Sequence, residues 1–148
     1  MNIEIKFLNL LMPRIVAIDY GTKRTGLAVT DPLRIFATGL ETVPSAEVLV
    51  YLRKYDEKEG IESFVIGMPK TLNNEPSENA RFVSAFIDLL KKQFPEKTIF
   101  LIDERFTSSM ALDAMIRGGM SKKDRKNKGN ADRISATIIL QSYLEMKR

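Results

Sequence analysis

Four consecutive apolar residues, Ile15-Val16-Ala17-Ile18, stand between Arg14 and Asp19. So short and unbroken a run predicts a strand over 14–20 buried on both faces. Apolar stretches at 26–30 and roughly 35–43 predict two more strands joined by short turns, one of them at Asp31-Pro32. The period then changes. From Pro44-Ser45 to about residue 59, Val48, Leu49, Leu52 and Tyr55 fall near helical spacing, and Gly60 is the stop. Phe64-Val65-Ile66 reads as a short buried strand ending at Gly67-Met68-Pro69. After a polar loop through Asn73-Asn74, Ser77 is a plausible N-cap. The helix it opens repeats Ala80, Val83, Ile87 and Leu90, runs to about residue 94 and is closed by Pro95. A strand over 97–102 follows. Thr107-Ser108 then caps a helix carrying Met110, Ala111, Ala114 and Met115, which Gly118-Gly119 ends. Residues 120–129 are polar and basic without period, and a last helix begins near Asn130. The order β-β-β-α-β-α-β-α-α predicts an α/β fold, a mixed five-stranded sheet with helices on both faces.

This pattern leaves residues 1–12 outside the domain. Ile3, Ile5 and Phe7 alternate with polar residues before Leu8, Leu10 and Leu11. The apolar run is too short for a membrane span, and Glu4 together with the lack of a small-residue cleavage site argues against a signal peptide. Met12-Pro13-Arg14 reads as a second natural chain start, so residues 1–12 are either a native extension or a misassigned start. Residues 13–148 read as one domain, long enough at 148 residues in all to bury a core.

Composition narrows the chemistry by what it lacks. The chain has no cysteine and no histidine. A disulfide, a thiolate zinc site and any Ser-His or Cys-His mechanism are thereby excluded. A metal, if held, is held by oxygen, which favours Mg²⁺ or Mn²⁺ over Zn²⁺. The formal charge of +4 is compatible with a nucleic-acid partner.

Three acidic positions stand where the predicted elements end or begin. Asp19 ends the first strand, followed by a tight turn with Gly21 and Gly26. Asp103-Glu104 ends the strand over 97–102. Asp132 opens the last helix. A carboxylate beside a glycine-rich hairpin suits metal-assisted phosphate chemistry, since hard oxygens bind a divalent cation and a small turn admits a phosphate backbone. Each position also has a purely structural reading. Asp19 can cap its turn. Asp103, Glu104 and Arg105 can form a surface ion-pair cluster. Asp132 can gain roughly 0.3–1 kcal/mol from the helix dipole in a first turn. Against that last reading, Asp132 shares a helical face with Ala136, Ile139 and Tyr143, and a carboxylate leading into an apolar face needs a partner. In the central pair, Ile99, Leu101 and Asp103 have one parity and Phe100, Ile102 and Glu104 the other. Both sets are apolar, so parity leaves the choice open. Thr22 and Thr25 can bond phosphate or satisfy the turn. Arg117, Lys122, Lys123, Arg125, Lys126, Lys128 and Arg133 make a basic segment before and into the last helix. With Lys23, Arg24 and Arg105 it reads as an electropositive rim that tracks a phosphate backbone, or else as a solvated surface.

Taken in order, Asp19-Tyr20-Gly21-Thr22-Lys23 through Gly26, then Gly67-Met68-Pro69, then Asp103-Glu104-Arg105-Phe106-Thr107-Ser108, and finally Lys128-Gly129-Asn130-Ala131-Asp132-Arg133-Ile134-Ser135-Ala136 into Ile139-Leu140-Gln141-Ser142-Tyr143-Leu144, resemble the YqgF/RuvX family of the ribonuclease H-like superfamily. The resemblance covers about residues 13 to 147. It implies a ribonuclease H-like fold and a divalent-metal-dependent nuclease with a two-metal site. Asp19, Glu104 and Asp132 would be the metal ligands, with Asp103 a further catalytic or alternate ligand. Arg105 would contact phosphate or pair with the leftover carboxylate. Two departures, Asn73-Asn74 where the family usually has a glycine and Ala131 where it usually has valine, leave the acidic set untouched.

The function implied is hydrolysis of phosphodiester bonds in 5′-end maturation of pre-16S ribosomal RNA, with cleavage of branched DNA at Holliday junctions as the alternative. The partners are then nucleic acid and ribosomal precursor particles, not a membrane. The expected location is the cytoplasm and the expected state a monomer or homodimer. Two other classes compete. Asp-x-Gly-Thr also resembles the phosphate motif of actin-like ATPases and sugar kinases, but this chain lacks the second such motif. A non-catalytic RNA-binding module would not need the acidic set.

Overall fold

A computed structural model describes residues 3–4, 12–69, 78–103 and 128–147, the side chains of 128–130 excepted. The central strand is β1 (Arg14–Tyr20), and its unbroken apolar run is buried on both sides. β2 (Arg24–Thr30) and β3 (Ala37–Pro44) follow as an antiparallel meander. A short 3-10 turn (Ser45–Glu47) leads into α1 (Val48–Glu59). β4 (Ile61–Met68) returns beside β1 in parallel. After α2 (Glu78–Gln93), β5 (Thr98–Asp103) adds in parallel to β4. The helix α3 (Lys128–Met146) completes the described elements. The five strands lie in the order β3-β2-β1-β4-β5, the mixed sheet that the sequence predicts. The helix expected after Thr107 falls outside the described residues.

Strand alternation sorts the core into two layers. Val16, Ile18, Leu27, Phe64 and Ile66 face α1 and α2, meeting Val48, Leu52, Val83, Phe86 and Leu90. Ile15, Ala17, Ala28, Val65 and Ile102 face α3, meeting Ala136, Ile139, Leu140 and Tyr143. Ile18 and Ile66 are fully buried, and each such side chain contributes roughly 1.5–3 kcal/mol. The small residues Ala17, Ala28 and Ala136 let α3 lie close to the sheet.

Boundaries shift where long-range partners intervene. Gly60 does stop α1, at a φ of 80°, and β4 then begins three residues earlier than the apolar run alone predicts. Asp56 anchors that junction, accepting from the Ile61 N–H at 2.7 Å and from Lys97 Nζ at 3.2 Å. β3 begins later than expected because Asp31 holds the preceding residues in a loop. Its carboxylate accepts from the N–H groups of Phe36 at 2.7 Å, Ile35 at 2.8 Å and Leu33 at 3.1 Å.

Those bonds, the one from Phe36 first, hold the Asp31 carboxyl below its usual 3.8. A folded-state value below the unfolded one means that the carboxylate supports the loop fully above the unfolded value. The support is lost as pH falls through the lowered value. In an NMR titration the amide shifts of Ile35 and Phe36 are expected to move together with a midpoint below 3.8. A midpoint at or above that value would contradict the bonding.

Candidate active site at the Gly26 crossing

Asp19 stands two residues beyond Ala17 on β1, on the face that α3 covers. Its antiparallel partner in β2 is Gly26. A Cβ built on Gly26 would collide with the backbone carbonyl of Asp132 and lie 3.0 Å from the Asp132 Cβ. The absent side chain is therefore what lets α3 cross the sheet here. The glycine admits the chain's own helix where the sequence pattern is equally consistent with an approaching phosphate. One residue pair thus locks strand to strand while its bare face receives Asp132. Gly26 thus stands beside Asp19 in the sheet and directly beneath Asp132 of the last helix.

The dipole reading of Asp132 falls away. α3 begins at Lys128 and has no acidic residue in its first turn, whereas the dipole effect fades within that turn. The expected inward face is found: Ala136, Ile139 and Tyr143 are buried. The partner that Asp132 needs is Arg24. Its Nε donates to Asp132 Oδ2 at 3.0 Å, with the two side chains 43% and 25% exposed. Arg24 has the parity of Gly26 and so reaches over the same face of β2. Sequence reading assigns Arg24 to a phosphate-binding rim and does not find this pair, which joins residues 108 apart.

The hairpin that carries Arg24 is clamped from behind by Ser45, a residue the sequence reading takes only for a helix start. Ser45 Oγ donates to the Gly21 carbonyl oxygen and lies 2.8 Å from Thr25 Oγ1, and its N–H donates to the Lys23 carbonyl oxygen at 3.0 Å. Thr25 is fully buried, so its hydroxyl satisfies the turn rather than a phosphate. Lys23 is exposed at the tip.

Asp103 pairs in register with Met68, which packs on the layer toward α1 and α2. Asp103 thus lies on the opposite face from Asp19. On β5 it is Phe100 and Ile102 that pack toward α3. Glu104, Arg105, Lys122, Lys123, Arg125, Lys126 and the side chain of Lys128 lie outside the described residues. Among the described residues no three acidic groups gather around one point. Asp19 and Asp132 nonetheless offer an all-oxygen pair at one crossing, the donor chemistry a hard divalent cation takes. No described helix is long and apolar enough to cross a membrane. The described grooves lie elsewhere, one of them lined by Ile15, Arg34, Phe100, Tyr143 and Lys147 at the far end of α3.

Comparison with known proteins identifies the family and the fold. The RuvX family model, described as Holliday junction resolvase, matches residues 13–146. A protein of Phocaeicola vulgatus named "Putative pre-16S rRNA nuclease" is 55% identical over 137 residues, 93% of this chain and 99% of its own. One of the same name from Bacteroides thetaiotaomicron has the same identity and coverage. The structure of Thermus thermophilus RuvC is similar with a TM-score of 0.56 at 16% identity, over 90% of this chain and 96% of that one. The same protein in complex with a Holliday junction substrate gives 0.53 at 19%, with the same coverage. At those identities the likeness is one of fold, and the fold is ribonuclease H-like of the RuvC kind. A family match that spans the whole fold from β1 to α3 makes this chain a member of the RuvX family.

Proposed function

We propose that this protein is a divalent-metal-dependent nuclease that hydrolyses phosphodiester bonds of precursor 16S ribosomal RNA. The observation that carries the reading is that Gly26 pairs with Asp19 across the strands and lies directly against Asp132 of α3. The names of the relatives at 55% identity support the substrate. Asp19 and Asp132 are metal ligands. Asp103 lies with Met68 and Ile99 on the face away from α3, which leaves Glu104 of the central pair as the third ligand that the family resemblance implies. Asp103, on the other face, supports the site without binding the metal.

Bound by these carboxylates, Mg²⁺ or Mn²⁺ supplies charge neutralisation of the phosphate and a lowered pKa for water, with two ions as the expected number. The chain's own residues do the rest. The carboxylates hold their positions because strand register and the glycine crossing fix them. Lys23, Arg105 and the basic residues Lys122, Lys123, Arg125, Lys126 and Lys128 hold the phosphate backbone electrostatically, without reading sequence. Action on ribosomal precursors puts the protein in the cytoplasm.

Cleavage of a four-way DNA junction is the second reading, favoured by the description of the family model. One experiment separates the two: incubation with precursor 16S rRNA and with a four-way junction, each with Mn²⁺ or with EDTA. Cutting of the precursor RNA in Mn²⁺ and none in EDTA is expected. Cutting that survives excess EDTA would overturn the metal mechanism. Cutting of the junction alone would transfer the assignment to the second reading.

A further inference from the structure

The Arg24–Asp132 pair puts a fixed positive charge on a carboxylate that the proposed function gives to a metal. Arg24 Nε donates to Asp132 Oδ2 at 3.0 Å, and among the described residues this is the guanidinium's one hydrogen bond. A guanidinium has five N–H donors in a planar fork, so most of its bonding capacity is left for another acceptor. The side chain is 43% exposed and projects from a hairpin whose tip carries Lys23. An exposed, single-bonded ion pair of this kind is weak and exchanges readily. A phosphodiester is the competitor that suits it best, since arginine binds phosphate through two parallel N–H bonds.

We propose that Arg24 is an exchangeable occupant of the metal site: it holds Asp132 in the nucleic-acid-free protein and hands that carboxylate to the divalent cation when a phosphodiester takes its guanidinium. A cation and a guanidinium on the same carboxylate repel. Nucleic acid that draws the guanidinium away removes the repulsion, so metal and phosphodiester bind cooperatively. The coupling is reciprocal, as any linkage of two binding equilibria must be. The hairpin is suited to this because Ser45 fixes its backbone through Gly21 and Lys23, so only the Arg24 side chain needs to swing. The inference rests on the metal-site reading of Asp19 and Asp132.

The test is Mn²⁺ affinity by titration calorimetry, with and without a short phosphorothioate oligoribonucleotide. Arg24→Gln is expected to bind Mn²⁺ at least about 5-fold more tightly than wild type without the oligonucleotide, the low end of usual coupling strengths. The oligonucleotide is expected to tighten Mn²⁺ binding in wild type and not in Arg24→Gln. Arg24→Lys, which keeps the charge, should stay near wild type. Lys23→Gln, which removes a neighbouring charge with no bond to Asp132, should change the affinity much less. Equal tightening by Lys23→Gln, unchanged affinity in Arg24→Gln, or oligonucleotide coupling that survives in Arg24→Gln would each overturn the proposal. Mn²⁺ binding that is lost in Asp19→Asn yet insensitive to Arg24→Gln would overturn it while sparing the metal site. Absence of Mn²⁺ binding in every form would overturn both.

Discussion

Gly26→Ala is expected to lower the melting temperature by several degrees and to remove most nuclease activity, from the addition of one methyl group. The new carbon would collide with the Asp132 backbone, and a carbonyl inside a helix cannot rotate aside as a side-chain tip can. α3 must lift or slide. Overpacking of this sort costs typically about 1–3 kcal/mol, and a domain near this size loses about 2–4 °C per kcal/mol. The displacement also carries Asp132 away from Asp19, so activity should fall even where the protein remains folded. Thermal unfolding and a cleavage assay on the same preparation check both parts. An unchanged melting temperature would mean that α3 does not rest on Gly26.

Asp19→Asn and Asp132→Asn are expected to do the converse, sparing the fold and removing the chemistry. Changing partners one shell outside a metal typically lowers affinity or activity about 10–100-fold, so loss of a direct ligand should cost more than about 100-fold in cleavage rate. Stability should barely move for Asp132→Asn. The only described ion pair it breaks is the one with Arg24, and exposed pairs of that kind contribute about 0–1 kcal/mol. Nucleic-acid binding should persist or tighten in both variants, since each removes negative charge near the phosphates. Parallel rates for Glu104→Gln and Asp103→Asn would test the assignment on β5. If Asp103→Asn is the more damaging, the parity argument for Glu104 fails. A fully active Asp132→Asn would leave that residue as a structural partner of Arg24 and nothing more.

Much of the fold is legible in the chain itself, and the limit of legibility has a physical cause. Strand β1 announces itself because a strand buried on both faces must be apolar at every position. α1 stops at Gly60 because a positive φ suits glycine. The inward face of α3 follows from helical period alone. These are all local signals. What stayed hidden depends on contacts between distant segments. That Gly26 serves the helix, that Arg24 finds Asp132, and that Ser45 clamps the hairpin all follow from register and packing. Residue spacing carries neither. The parity of β5 is the intermediate case. Its two faces are equally apolar in sequence, and only the layers of the folded core tell Ile99 from Phe100.

The division of the acidic pair between β1 and α3 has a consequence for the protein's birth. Residues 24 and 132 are 108 positions apart, and chains are made at about 5–20 residues per second. The hairpin therefore leaves the ribosome roughly 5–20 s before the helix that completes the crossing. During that interval the nascent chain holds Asp19 without its counterpart and shows bare the layer of Ala17, Ala28 and Val65 that α3 later covers. A half-made copy would expose this apolar layer to solvent.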